Sequence, residues 1–204
     1  MIIAFEGIGG SGKTTQINML ANFLKSKGKT FIILKGGGTG GNTKELQNLK
    51  QKIDKSGDPK LTLLSKTIKL QINELEKAIS KKFDYIILDR TYFTYLASAK
   101  SKGLELNEIF SSEMIENLKK FKPADKIFFL NIDPKNAHKF MKNKQTLSRG
   151  DLRATIEKDE AKNKAYLDIA QKNDWIIIDV ENKDSIKDEN SIHKEIISSI
   201  FSQT

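Results

Sequence analysis

The sequence predicts an α/β fold: a five-stranded parallel sheet with helices on both faces. Two observations predict it. Strand and helix patterns alternate from one end to the other, and the apolar runs are short. Short apolar strands separated by helices indicate a parallel sheet covered on both sides. A third observation points to a site. Glu6-Gly7, Lys35-Gly36, Asp89-Arg90 and Asp133-Pro134 each follow an apolar run. Right-handed crossovers gather such strand ends on one edge, where open α/β sheets bind ligands.

The elements follow in order. Met1–Glu6 reads as a buried strand. Thr14–Lys27 reads as a helix, with Ile17, Leu20, Ala21 and Leu24 on one face and Gly28 as its stop. Thr30–Leu34 is a second strand, and the glycine-rich run Gly36–Gly41 must be loop. A helix is predicted near Thr43–Ile53, and Gly57-Asp58-Pro59 breaks the chain after it. Leu61, Leu64, Ile68, Ile72, Leu75 and Ile79 then step by three or four, a long amphipathic helix. Tyr85–Leu88 is a third strand, and helical patterns fill much of Tyr92–Lys120. Lys126–Ile132 is a fourth strand. Two helical stretches flank a polar segment around Asn143–Arg153. Trp175–Val180 is the fifth strand and Ile192–Phe201 the last helix. With 204 residues, no repeats and no linker, a single domain spanning 1–204 is expected.

Gly7-Ile8-Gly9-Gly10-Ser11-Gly12-Lys13-Thr14 fits the pattern G-x-x-x-x-G-K-[ST], and Thr15 follows it. It lies directly after the first strand and before the first helix, the context that a phosphate loop needs. Glycines let backbone N–H groups close around phosphate oxygens. The following helix adds its positive end. Gly7–Thr15 are therefore the candidate ATP-binding residues. Lys13 reaches the β- and γ-phosphates, and the Thr14 hydroxyl is a candidate ligand for Mg²⁺. The fold class becomes a three-layer P-loop NTPase fold.

Asp89, ending the third strand, is the second candidate Mg²⁺ ligand. Many P-loop machines that hydrolyse ATP place a glutamate next, to activate water. Arg90 stands there instead. A permanent cation cannot act as a base, but it can hold a phosphate. That favours transfer to a second phosphorylated molecule over hydrolysis.

At this point the chain resembles the thymidylate kinase family of nucleoside monophosphate kinases over nearly its whole length. Phe5-Glu6-Gly7 leading into Gly12-Lys13-Thr14-Thr15-Gln16 is similar to that family's opening. Gly37-Gly38-Thr39 with Glu45, Asp89-Arg90 with Thr94 and Ala97, and Asp133-Pro134 followed by a basic stretch and Tyr166-Leu167 resemble its later motifs. The resemblance implies transfer of the γ-phosphoryl of ATP to a deoxynucleoside monophosphate, usually dTMP. It implies that Arg90 holds the acceptor's phosphate. It also implies a small basic lid, about 141–153, closing over the transferring group. Arg149 and Arg153 are its candidate catalytic cations, with Lys142 and Lys144 beside them. The three arginines of this lysine-rich chain, Arg90, Arg149 and Arg153, thus fall where forked phosphate contacts are useful. Homodimers are common in the family, so a homodimer is admitted here.

The chain departs from the family at the acceptor. Relatives usually carry an acid at the position of Gly9, and some carry an arginine at that of Gly10. The family's Arg-Glu-Pro is Leu34-Lys35-Gly36, so an acidic position has become basic. Lys69 is the nearest stand-in for a base-reading arginine. Lys35, Lys69, Arg90 and Tyr92 are the candidate acceptor contacts, with core packing an equal alternative for Tyr92.

Composition limits the alternatives. The net charge is +9, which a polyanionic partner or simply solvated lysine faces would explain. The lysine-face reading is preferred, so nucleic acid is not an expected partner. There is no cysteine, hence no disulfide or thiolate chemistry. No apolar run approaches the roughly 20 residues of a membrane span. Met1–Phe5 is too short for a signal-peptide core, and a cytoplasmic location is expected. His138 and His193 lack metal-type spacing and read as surface or packing residues. Three other readings stay open. The chain could be a kinase of another acceptor, a P-loop switch module that contacts nucleic acid or protein, or a kinase-like nucleotide binder without catalysis.

Overall fold

The computed structural model of the chain describes residues 1–35, 71–105, 112, 115, 124–142, 155–182 and 185–202. In chain order its elements are β1 (Ile2–Glu6), α1 (Lys13–Ser26), β2 (Phe31–Lys35), β3 (Tyr85–Asp89) and α2 (Phe93–Lys100). Then come β4 (Lys126–Asn131), α3 (Pro134–Lys142), α4 (Ile156–Lys172), β5 (Ile176–Asp179) and α5 (Glu189–Phe201). A further helical stretch covers 71–80. It is the described end of the helix predicted from Leu61 onward. The remainder of that helix, the helix near Thr43–Ile53 and the Gly36–Gly41 loop lie outside the described residues.

The five strands form one parallel sheet in the order β2-β3-β1-β4-β5. β1 is central. Its neighbours are β3, with Phe5 opposite Asp89, and β4, with Glu6 opposite Phe129. The chain leaves β1 toward β2 on one side, and later steps from β3 past β1 to β4 and β5. Right-handed crossovers in opposite directions put their helices on opposite faces. Accordingly α1 packs on β1 and β3 and against α5, whereas α2 and α3 pack on α4, which lies on β4. Adjacent residues of β4 divide between the faces. Phe128 stacks on Phe5 at 5.5 Å, and Phe129 stacks on Tyr166 of α4 at 5.6 Å. Both phenylalanines are fully buried.

Helix ends follow local chemistry. Helix α1 stops at Ser26, and Gly28 has the left-handed φ of 65° that the sequence assigned to a stop. Thr155 caps α4, its side chain accepting from the Lys158 amide at 3.3 Å. Helix α5 begins three residues before the predicted Ile192, because Asp188 accepts from the Asn190 and Ser191 amides at 3.0 Å each. Its first turn is polar, so the apolar period starts late. No described helix is long and apolar enough to cross a membrane.

Candidate active site

The phosphate loop joins β1 to α1 as the sequence implied. Gly12 sits in the left-handed region at φ 87° and starts α1 with no side-chain cap, leaving the first amides of the helix to be met from outside. Gly10 is also left-handed, at φ 77°, for a steric reason. A Cβ there would come within 2.3 Å of the Ala137 carbonyl oxygen in α3. The loop therefore lies directly on the backbone of the helix that enters the predicted lid.

Lys13 is only 6% exposed. Its ammonium donates to the carbonyls of Gly7 (3.0 Å) and Ile8 (2.6 Å) and to Ser11 Oγ (3.1 Å), so all three of its protons are used. Burial, and then the nearby Arg90 charge, hold its pKa well below the ordinary lysine value, while Asp89 and Glu6 work the other way. The Ile8 side chain is 1% exposed and belongs to the core, so Ile8 presents only backbone to the crevice.

Arg90 follows β3 with a left-handed backbone, φ 75°, a conformation that costs a residue with a Cβ roughly 1–2 kcal/mol. What holds it there is Glu6. This carboxylate is fully buried at the end of β1. Its Oε1 accepts from the Thr91 amide at 2.6 Å and the Thr91 hydroxyl at 2.8 Å, and its Oε2 accepts from the Thr94 hydroxyl at 2.8 Å. The Arg90 amide itself donates to the Phe5 carbonyl at 3.0 Å. The turn is thereby pinned from the central strand. Arg90 Nη1 then reaches back to the Gly7 carbonyl (2.8 Å) and the Tyr166 hydroxyl (3.3 Å). Tyr166 passes its proton on to Thr94 at 3.0 Å, and Thr94 donates to Glu6. Each hydroxyl in this chain accepts once and donates once, and the chain ends on a carboxylate. Such an ordered chain fixes the guanidinium's direction. Burial works against the charge of Arg90, but Tyr166, Glu6 and Asp89 outweigh it and its pKa is raised.

Thr14 and Asp89 line one cavity of about 750 Å³ together with the loop residues Gly9–Gln16 and with Arg90. A hydroxyl and a carboxylate are the hard oxygen donors that Mg²⁺ takes when phosphates complete its shell. Phe140, Val180, Ile186 and Ile192 form an apolar part of its wall, with Lys187, Asp188 and Glu189 lining it between them. Lys35 is the register partner of Asp89 on β2 and is exposed.

The structure thus brings Lys13, Thr14, Asp89 and Arg90 together at the C-terminal edge of the sheet. Tyr92 is placed differently from the acceptor reading. It is 8% exposed and stacks on Phe93 at 4.4 Å, and Phe93 meets Trp175 edge-on at 4.7 Å. Its ring is part of the core, and burial raises its pKa to about 12. Lys69, Arg149, Arg153 and Lys144 lie outside the described residues, while Lys142 is exposed at the end of α3. His138 is more than a surface residue. Its Nε2 pairs with Asp159 Oδ2 at 2.9 Å, tying α3 to α4 on either side of the predicted lid. Sequence reading gave no role to Glu6, although a carboxylate immediately before a phosphate loop, with Thr91 and Thr94 one helical turn apart, was a usable signal. The apolar wall carried no such signal, because its four residues come from three separate segments.

Comparison with known proteins agrees with this geometry. The thymidylate kinase family profile matches residues 5–192. The thymidylate kinase of Thermosipho africanus is 32% identical over 189 residues, 88% of this chain and 89% of that one. The probable thymidylate kinase of Methanocaldococcus jannaschii is 31% identical over 201 residues, 97% of this chain and 94% of that one. Among solved structures, the thymidylate kinase of Ehrlichia chaffeensis superimposes with a TM-score of 0.67 at 22% identity, covering 98% of both chains. A deoxyadenosine kinase from M. mycoides, solved with dCMP and dCDP, gives 0.63 at 19% identity over the full length of both. Those two likenesses speak for the fold, and the profile and the sequence relatives decide the family. With a phosphate loop facing a half-buried arginine and a family match across almost its whole length, the chain belongs to the thymidylate kinase family of nucleoside monophosphate kinases.

Proposed function

We propose that the protein transfers the γ-phosphoryl group of ATP to the phosphate of dTMP, giving ADP and dTDP. The observation that carries this reading is the meeting of Lys13 and Arg90 on one carbonyl, that of Gly7. One cation belongs to the donor's loop and the other comes from the end of β3, so two phosphates can be drawn to the same point. An acceptor phosphate oxygen attacks the γ-phosphorus while the bond to the β-bridging oxygen breaks. Such a transfer asks the protein for alignment and for spread positive charge, with no covalent intermediate.

The loop amides and Lys13 hold the donor phosphates, and the wall of Phe140, Val180, Ile186 and Ile192 suits the flat base of ATP. Thr14 and Asp89 are the residues that would hold Mg²⁺, which when bound neutralises charge on the β- and γ-oxygens. Arg90 holds the acceptor's phosphate, and Arg149 and Arg153 are the lid cations that meet the transferring group. The family likeness supports dTMP as the acceptor, a homodimer as the assembly and a cytoplasmic location. One observation favours a second reading, another nucleoside monophosphate as acceptor. Exposed Lys35 stands beside Asp89, where relatives usually have an acid, and Gly9 offers no side chain.

Incubation with Mg·ATP and a panel of nucleoside monophosphates, following ADP, decides between them. ADP formation that depends on dTMP supports the proposal, and the panel ranks the bases. ADP formed only with added DNA or RNA overturns it.

A further inference from the structure

Lys162, in the second turn of α4, is a cation that the preceding scheme leaves unused. Its ammonium lies 5.8 Å above the centre of the Tyr166 ring, one turn further along the helix. Tyr166 is the residue whose hydroxyl receives Arg90. Among the described residues no carboxylate comes within ion-pair distance of Lys162. Lys162 is partly buried, and it stands near enough to Arg90 and Lys13 for their charges to oppose its own.

Three cations thus converge from three elements: Lys13 from α1, Arg90 from the end of β3, and Lys162 from α4. Three described carboxylates act on them: Glu6, whose oxygens are committed to Thr91 and Thr94, Asp159, which is paired with His138, and Asp89 at the donor cavity. A partly buried group of like charges whose nearby carboxylates are already engaged is poised for an anion. Position says which one. The donor cavity is lined by Asp89 and Arg90 but by neither Lys162 nor Tyr166. Lys162 therefore lies outside the donor cavity that Arg90 helps to line.

We propose that Lys162 is a second ligand for the acceptor's phosphate, gripping it together with Arg90. This rests on the reading of the site as a nucleoside monophosphate kinase.

The local electrostatics agree. Burial, followed by the Arg90 charge, pushes the Lys162 pKa down to about 8. The charged groups that face it are Arg90 after β3, Glu6 of β1, Asp159 of its own helix, Lys102 after α2 and Lys13 of α1. Glu6 and Asp159 favour its charge, and the three cations oppose it. A dianionic phosphate added to this set stabilises the ammonium and raises its pKa above the free value. The sign follows from linkage. Acceptor affinity is full below the free pKa and falls as pH rises through it. Binding at pH 8 must then draw a proton from solution.

The test uses Lys162→Met, which keeps the stem over Tyr166, and Lys162→Arg, which restores a charge that does not titrate in this range. In Lys162→Met the KM for dTMP should rise by about tenfold to a hundredfold, the range of one hydrogen bond to a charged group. The KM for ATP should stay within about twofold in the same variant, since the donor side is untouched. Wild-type kcat/KM for dTMP should fall above about pH 8, and calorimetry in two buffers at that pH should show proton uptake. Lys162→Arg should regain affinity and lose both the fall and the uptake. Thermal melting and ATP binding check that each variant is folded. If Lys162→Met misfolds, the Arg variant and the wild-type proton count still decide. Unchanged dTMP kinetics in Lys162→Met beside an active wild type overturn this proposal alone, as does a rise confined to the KM for ATP. A wild type that neither binds nor phosphorylates any nucleoside monophosphate overturns the kinase reading and this proposal together.

Discussion

The Glu6 carboxylate and the backbone amide of Thr91 are joined by a 2.6 Å hydrogen bond across 85 residues of chain. It connects the strand that precedes the phosphate loop to the turn that carries Arg90. Removing one partner of a buried charged network leaves the others unsatisfied, at a cost of about 3–5 kcal/mol. Glu6→Ala should destabilise the protein by that amount in urea unfolding. Glu6→Gln, which can still serve the Thr91 amide, should cost less, about 1–3 kcal/mol. An alanine variant within about 0.5 kcal/mol of wild type, the usual range of an inconsequential surface change, would show that the network is not structural.

Lys13 has its ammonium inside the loop, on the Gly7 and Ile8 carbonyls. Lys13→Ala removes the one side-chain cation of the donor loop. Acceptor-dependent ADP formation should fall by at least about 10²–10³, the scale on which losing a single preorganised electrostatic contact is felt. Turnover that survives this change would dissociate the loop from the chemistry.

Arg90 separates function from backbone strain. Arg90→Ala and Arg90→Gly both delete the guanidinium, so both should raise the KM for the acceptor far more than that for ATP. Only glycine relaxes at φ 75°. Arg90→Gly should therefore be more stable than Arg90→Ala by about 1 kcal/mol, read from paired unfolding curves. Equal stabilities would mean that the turn opens once the side chain is gone.

Gly10→Ala should fail structurally. The new methyl would meet the Ala137 carbonyl oxygen at 2.3 Å, backbone that cannot swing aside. Either the loop or α3 must move, and activity should drop even though no functional group is lost. A variant with normal kinetics and an unshifted melting temperature would refute so close an approach.

Much of this was legible before any coordinates. The phosphate loop was readable because its spacing is its geometry: eight consecutive residues build the whole feature. The five strands were readable because an apolar run between turn signals has few other uses. Other parts were hidden by distance or by ordinary composition. Glu6 looked like any polar strand end, since its partners Thr91 and Thr94 lie far along the chain. Lys162 looks like one more solvated lysine in the sequence, and only the packing of α4 on β4 and α2 brings it within reach of the Arg90 charge. Tyr92 was evenly balanced between pocket and core, and its stacking on Phe93 put it in the core. The sequence places the start of α5 at Ile192, three residues late, because a capped, polar first turn has no apolar period to read.

The contact between Gly10 and Ala137 also limits the chain's evolutionary options. Some members of the family carry an arginine in the phosphate loop at this position. Here no single substitution can reach that arrangement, because any side chain at position 10 collides with the main chain of α3. Placing a cation at position 10 would require re-seating a helix first. The lineage thus keeps Lys13 as the loop's side-chain cation, and residue 10 is a closed door to an engineer seeking a second one.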